Sequence, residues 1–184
     1  MGLRTLSDHL LDMVQNAMAS GANKIEIHVM QDERTFSFVV RDDGRGMDEE
    51  TLKKALDPFY TTKKERKKKI GLGLPMLKFA TEITGGEFSI RSSPGGGTEV
   101  KASFNIGHVD CQPLGNLKDC IFTILTGNNE DIEIMIKRCR KDNCYVVKSR
   151  KVEEFMGKEW RSDPVRMKML YNMIEQLENS LHKE

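Results

Sequence analysis

Four short blocks follow one another in a fixed order through the first hundred residues: DMVQNA at 12–17, DDGRGM at 42–47, GLGL at 71–74 and GGGT at 95–98. They constrain the fold more than any other feature, because they set where the backbone must turn tightly and lie bare. Glycine leaves main-chain N–H groups with no Cβ in front of them, which is the chemistry that cradles phosphate groups. Asp12 and Asn16 are one helical turn apart and share a face. An Asn oxygen suits Mg²⁺ beside phosphate oxygens, and Asp12 is placed to polarise a water or a hydroxyl. Each block has a plainer reading on its own: a solvated helix face, a turn, a helix entry, a hairpin. Their joint occurrence in this order favours a nucleotide site.

The blocks sit on legible elements. Residues 4–20 read as an amphipathic helix with Leu6, Leu10, Met13 or Val14, and Ala17 on its apolar stripe. Asp8, His9, Asp12, Asn16 and Ser20 form its polar stripe, with His9 expected at the surface or a pocket edge, and Gly21 stops it. KIEIHVM (24–30) alternates like a half-buried strand, and TFSFVVRD (35–42) is a second strand that delivers Asp42 at its end. Asp48 is placed to cap a short helix through about Asp57. Residues 58–72 have no apolar period and are dense in Lys and Arg, the composition of a loop or lid. A helix over 74–84 ends at Gly85, and strands at 87–93 and 98–106 are joined by Pro94-Gly95-Gly96-Gly97. One helical layer on one sheet is the natural packing, giving an α/β chain.

Residues 1–107 carry all four blocks; 108–184 read as a small α+β appendage without a chemical motif. It comprises a helix over 113–127, a hairpin turning near 141–143, and a helix over 164–183 opened by Asp163-Pro164. KRCRKD and KSRK there read as a solvated hairpin rather than a nucleic-acid surface. Lys and Arg number 29 against 28 Asp and Glu, so no global charge points to nucleic acid. No apolar run approaches the ~20 residues of a membrane span. The start lacks a signal peptide's apolar core, so no membrane is expected and the location expected is cytoplasmic. Cys139 and Cys144 can face each other across the hairpin, but Cys111, Cys120, Cys139 and Cys144 are expected to stay plain thiols.

The set Asp12/Asn16, DDGRGM, PFYTTK, GLGL and GGGT resembles the GHKL ATPases, the group of gyrase, the heat-shock chaperone, histidine kinases and MutL, over about residues 4–106. The resemblance implies the Bergerat fold, a two-layer α/β sandwich whose mixed sheet is covered on one face by helices. It also implies ATP and Mg²⁺. By that resemblance Asn16 ligates the metal, Asp42 hydrogen-bonds the adenine amino group, and Gly44 and Gly46, followed by Met47, admit the base. Gly71, Leu72, Gly73 and Leu74 form the phosphate-binding stretch, and Thr98 completes the adenine pocket through water. Phe59 and Lys63 belong to the lid, with Lys63 a candidate phosphate contact.

Asp12 stands where MutL and gyrase carry a Glu general base, one methylene shorter. The lid, GLGL and GGEFSIRSSPGGGT are most similar to histidine kinases, whereas DMVQNAMASGANKIEI is closer to MutL. His9, His28, His108 and His182 lack the context of a phospho-acceptor histidine, and the chain opens almost directly on the first block, so a stand-alone form is expected. Three readings follow. One is a slow Mg-dependent ATPase that regulates an unidentified protein partner through nucleotide state. Another is an anti-sigma-type serine/threonine kinase in which Asp12 deprotonates a partner hydroxyl. The third is a non-enzymatic ATP-gated interaction module. A homodimer stays open.

Overall fold

A computed structural model of the chain describes residues 3–59, 71–127 and 131–182. Helix α1 (Leu6–Ala19) starts at a capping box: the Thr5 side chain accepts the Asp8 amide, and Asp8 accepts the Thr5 amide in return. Strands β1 (Lys24–Gln31) and β2 (Thr35–Asp42) form a hairpin whose turn is held by Asp32, which accepts the amides of Arg34 and Thr35. The short helix α2 (Glu49–Ala55) is capped by Asp48 and buries no residue. Helix α3 (Gly73–Ile83) leads to strands β3 (Phe88–Ser92) and β4 (Thr98–Asn105). Helix α4 (Leu117–Thr126), strands β5 (Glu133–Arg140) and β6 (Asn143–Lys148), and helix α5 (Ser149–Met156) follow. A single 3-10 turn (Trp160–Ser162) and helix α6 (Pro164–Ser180) complete the described chain.

The six strands form one mixed sheet in the order β3-β4-β2-β1-β5-β6. Every neighbouring pair is antiparallel except β1 and β5, which run parallel with Lys24 opposite Glu133. The alternation read from 24–30 and 35–42 is the cause of the layering. Ile25, Ile27 and Val29 of β1 and Phe36, Phe38 and Val40 of β2 all face the helices and are buried. Phe36, Phe38 and Phe104 close the centre of this core with ring centroids 6.3 Å apart. The helices lie on that face alone, while the other carries ion pairs such as Arg41–Glu99. The chain is therefore a two-layer α/β sandwich.

Residues 108–184 do more than cover this sandwich, because β5 and β6 extend the same sheet beyond β1. Trp160 is fully buried, fixing the 3-10 turn against α6. Helix α5 is an addition to the expected elements; its apolar residues Val152, Phe155 and Met156 hold the i, i+3, i+4 spacing of a helix face within a short polar run. Two expectations are corrected. Cys139 and Cys144, directly opposite in the β5–β6 register, are joined as a disulfide rather than left as thiols, whereas Cys111 and Cys120 are free. Of the two places expected for His9 the surface is excluded, since it is 1% exposed, because α4 and the segment before it pack over that side of α1. Among the described residues, no helix is long and apolar enough to cross a membrane.

Candidate functional site

Three elements meet at one end of the sheet: the second half of α1, the end of β2 with the loop after it, and the start of α3. Asp12 and Asn16 share a face of α1, and Asn16 lies close enough to help lower the Asp12 carboxyl. The first residue of α3 lies directly against this pair. A Cβ on Gly73 would stand 1.9 Å from Asp12 Oδ2, so any larger residue there would push that carboxylate from its place against the helix start. Leu72, the residue before α3, supplies no side-chain cap, so the first amides of the helix keep their donor capacity. Gly71 turns into this start at a φ of 120°, a conformation that glycine adopts without strain. Leu72 is exposed, and Leu74 packs partly against the core.

Asp42 is 7% exposed at the end of β2. Its Oδ1 accepts the Gly44 amide at 2.8 Å and faces the Ser20 hydroxyl at 3.1 Å, a proton that Ser20 shares with Ala17 O at 2.8 Å. Thr98 stands opposite Asp42 in the β2–β4 register, and its amide helps to lower the carboxyl. An ionised carboxylate has about four acceptor sites, so capacity for a further donor remains. Gly46, at φ 65°, lies so close to the GGGT turn that a Cβ would stand 1.9 Å from Ser93 O. The half-buried Met47 donates its amide to Ser92 Oγ at 2.8 Å, and Ser92 Oγ donates to Gly97 O at 3.0 Å. With its proton so engaged, Ser92 accepts from Thr98 Oγ1 at 2.9 Å. One serine thus ties the DDGRGM loop to the turn and to Thr98.

Burial dominates the electrostatics. It raises the Asp42 carboxyl above its ordinary range, against the pull of the Gly44 amide and the Ser20 hydroxyl. Asp12 is likewise raised, chiefly by burial, with His9 and Asn16 pulling the other way. Burial lowers the His9 imidazole. Gln112 Nε2 donates to Leu3 O at 2.9 Å, so its Oε1 is the acceptor for His9 Nε2 at 2.8 Å. His9 therefore carries its proton on Nε2, leaving Nδ1 a lone pair. Both His9 Nδ1 and Asp12 Oδ2 are buried without a hydrogen-bond partner.

The structure thus brings Asp12, Asn16, Asp42, Gly44, Gly46, Met47, Gly73 and Thr98 to one end of the sheet. Phe59 stands 90% exposed beyond α2, its amide on the Asp57 carboxylate at 2.8 Å. Lys63 lies outside the described residues. Ser20, Ser92, His9 and Gln112 escape sequence reasoning. Ser20 and Ser92 gain their partners only through strand register, and Gln112 lies far from His9 along the chain. The described residues contain no cluster of three or more His, Cys, Asp or Glu able to hold a metal. A hard dication beside Asn16 would therefore need oxygens from a bound phosphate.

The family model for histidine kinase-, DNA gyrase B-, and HSP90-like ATPases matches residues 2–108. The chain is 35% identical over 97 residues to the sensor histidine kinase YxdK of Bacillus subtilis, covering half of this chain and 30% of that one. It is also 35% identical over 103 residues to the tetrathionate sensor histidine kinase TtrS of Salmonella typhimurium, covering 54% of this chain and 17% of that kinase. This chain thus spans less than a third of either curated relative. In fold it is similar to the crystal structure of the N terminal domain of a DNA repair protein. The TM-score is 0.59 at 16% identity, over 84% of this chain and 57% of that one.

Proposed function

Because the chain belongs to the histidine kinase-, DNA gyrase B-, and HSP90-like ATPase family, we propose that it binds Mg·ATP between α1, α3 and the end of β2, hydrolyses it slowly, and uses nucleotide state to regulate a protein partner. One observation carries the reading: the uncapped start of α3 lies by Gly73 against the Asp12 carboxylate of α1, and one helical turn beyond Asn16 the same helix reaches the buried carboxylate of Asp42 through Ser20. Amides at a helix N-terminus are a ready anion site, suited to the triphosphate.

In this proposal Asp42 accepts from the adenine amino group, and Gly46 lets the base lie against bare backbone. Asn16 would hold Mg²⁺, which neutralises triphosphate charge when bound. Asp12, raised by burial, takes the proton of the attacking water. Its short arm accounts for a turnover below the usual ~1–10³ per second. Lys63 is proposed as a phosphate contact and Phe59 as part of the lid.

Incubation with labelled ATP, alone and with candidate partner proteins, tests the reading. Released phosphate supports an ATPase. A labelled partner would replace it with a protein kinase, and tight binding with neither would leave an interaction module. Calorimetry with GTP tests the adenine contact, since guanine offers a carbonyl where adenine offers a donor. Equal affinities for ATP and GTP would remove Asp42 from that role.

A further inference from the structure

The opposite end of the sheet holds a cavity of about 410 Å³, within the range of small-molecule sites. Gln31, at the far end of β1, lines it, whereas Ile25 sits opposite Asp42. Six residue steps along β1 separate the two, roughly 20 Å at the usual rise. The cavity shares no residue with the nucleotide site.

Arg138 of β5 lines this cavity and is 2% exposed. Its Nη1 donates to Cys139 O at 2.7 Å and its Nη2 to Gln31 Oε1 at 2.5 Å. Its Nε lies 3.5 Å from Glu178 Oε1, within ion-pair range, but is buried with no hydrogen-bond partner. Glu178 is shared, because the Tyr145 hydroxyl donates to the same oxygen. Lys118, also in the wall, is matched by Glu175 at 2.7 Å. Arg140 has no such match: its guanidinium contacts the His182 ring, and among the described residues no carboxylate pairs with it. The wall therefore sets three cations, Lys118, Arg138 and Arg140, against two carboxylates, Glu175 and Glu178.

Helix α4 begins in the same wall. Asn116 caps it by accepting the Asp119 amide, and Asp119 turns its own carboxylate to Asn116 Nδ2 and the Tyr171 hydroxyl. The amides of Leu117 and Lys118, the first two of the helix, have no acceptor among the described residues. An excess cation, a buried guanidinium with a donor unused, and two free helix-start amides thus converge on one polar cavity. Each is the chemistry of oxyanion recognition.

We propose that this cavity is a second ligand site, taking a small molecule that bears a carboxylate or a phosphate, held by Arg138, Arg140 and the first amides of α4. Gln31, Asn116 and Asn179 give it room for a neutral polar end. The test is titration of the full chain with inorganic phosphate and, separately, with succinate, at ionic strength held constant with sodium chloride. The readout is the amide NMR signals of Leu117 and Lys118, which separates this cavity from any phosphate at Gly73.

The expected result is saturable shifts at those amides with at least one probe. They should weaken tenfold or more in Arg140→Gln, while ATP affinity stays unchanged. Arg138→Lys, which keeps the charge but not the fork, should weaken binding further; if it does not fold, Arg140→Gln decides alone. Response to phosphate only assigns a phosphorylated ligand, to succinate only a carboxylate, and to both an oxyanion of either kind. No saturable shift with either probe, or shifts that survive Arg140→Gln unchanged, would overturn the site.

Discussion

The two ends of β1 are both polar but built on different plans. At the Asp42 end, glycines press the backbone against carboxylates, and two buried acceptors, His9 Nδ1 and Asp12 Oδ2, are left without partners. At the Gln31 end the charges come mostly in matched pairs, Lys118 with Glu175 and Arg138 with Glu178, gathered from three separate stretches of chain, and the buried atom left over is a donor, Arg138 Nε. Unpartnered buried acceptors weaken a fold, so they persist where a ligand uses them. Matched pairs serve the fold first and a ligand second. Substitutions should therefore reduce chemistry at one end and stability at the other.

The largest effect should come from Asp12. Asp12→Asn is expected to slow single-turnover hydrolysis by roughly 10²–10⁴-fold, the usual contribution of a positioned base, while ATP affinity by calorimetry is kept. An unchanged rate would take Asp12 out of the mechanism and break the contrast.

Next comes Arg138→Met at the other end. It leaves Glu178 half-buried without its guanidinium, at a cost on the order of 3 kcal/mol read by urea denaturation. Rates per folded molecule should not change.

Asp42→Asn sharpens the comparison because it should do the reverse. Asparagine Oδ1 can still accept from Gly44 and Ser20, so the fold is kept, but ATP should bind about 5–150-fold more weakly. The apo variant should be as stable as the native chain or more so at pH 7. The Asp42 carboxyl is raised in the fold, so the native state gains its proton first as pH falls. The cost of the buried charge is thus fully present above that raised value, declines as pH falls through it, and is gone below the ordinary carboxylate value. The stability difference between variant and native chain should close as pH drops, and a constant difference would contradict it.

A smaller effect belongs to His9, whose ordinary value of 6.5 is lowered by burial. The unfolded chain binds that proton first, so stability should fall as pH drops below about 6.5 and level off below the folded value. His9→Gln should flatten that part of the profile. Smallest of all is removal of the Cys139–Cys144 disulfide by paired serine substitution. It closes a loop of sequence separation 5 within strands already hydrogen-bonded, so the melting temperature should move by only a few degrees.

The same contrast explains what was legible in the chain. The convergence of Asp12, Asn16, Asp42 and Gly73 could be read because each block is contiguous and its glycines answer a local need of the backbone. His9 reads from the sequence as a surface or pocket-edge residue because its partner Gln112 belongs to a segment with no motif. Ser20 and Ser92 looked ordinary because only the placement of β2 and β4 gives them partners. The hairpin over β5 and β6 was legible from alternation, but alternation says nothing of which strand lies beside it. Hence the parallel pairing with β1, and with it the whole Gln31-end cavity, had no local signal.

That parallel pairing has a consequence for how the chain folds as it is made. Lys24 and Glu133 face each other only after a loop of roughly a hundred residues has closed, a slow kind of contact to form. At about 5–20 residues per second, a growing chain leaves the outer edge of β1 without its neighbour for roughly 5–20 s. During that interval β1 and β2 can already zip into a hairpin, with Ile25, Ile27 and Val29 along an open row of amides and carbonyls. An open edge of this kind invites other strands. Lys24 and Glu26, alternating with those apolar residues, put charge along the same strand and make a stray partner costly until β5 emerges.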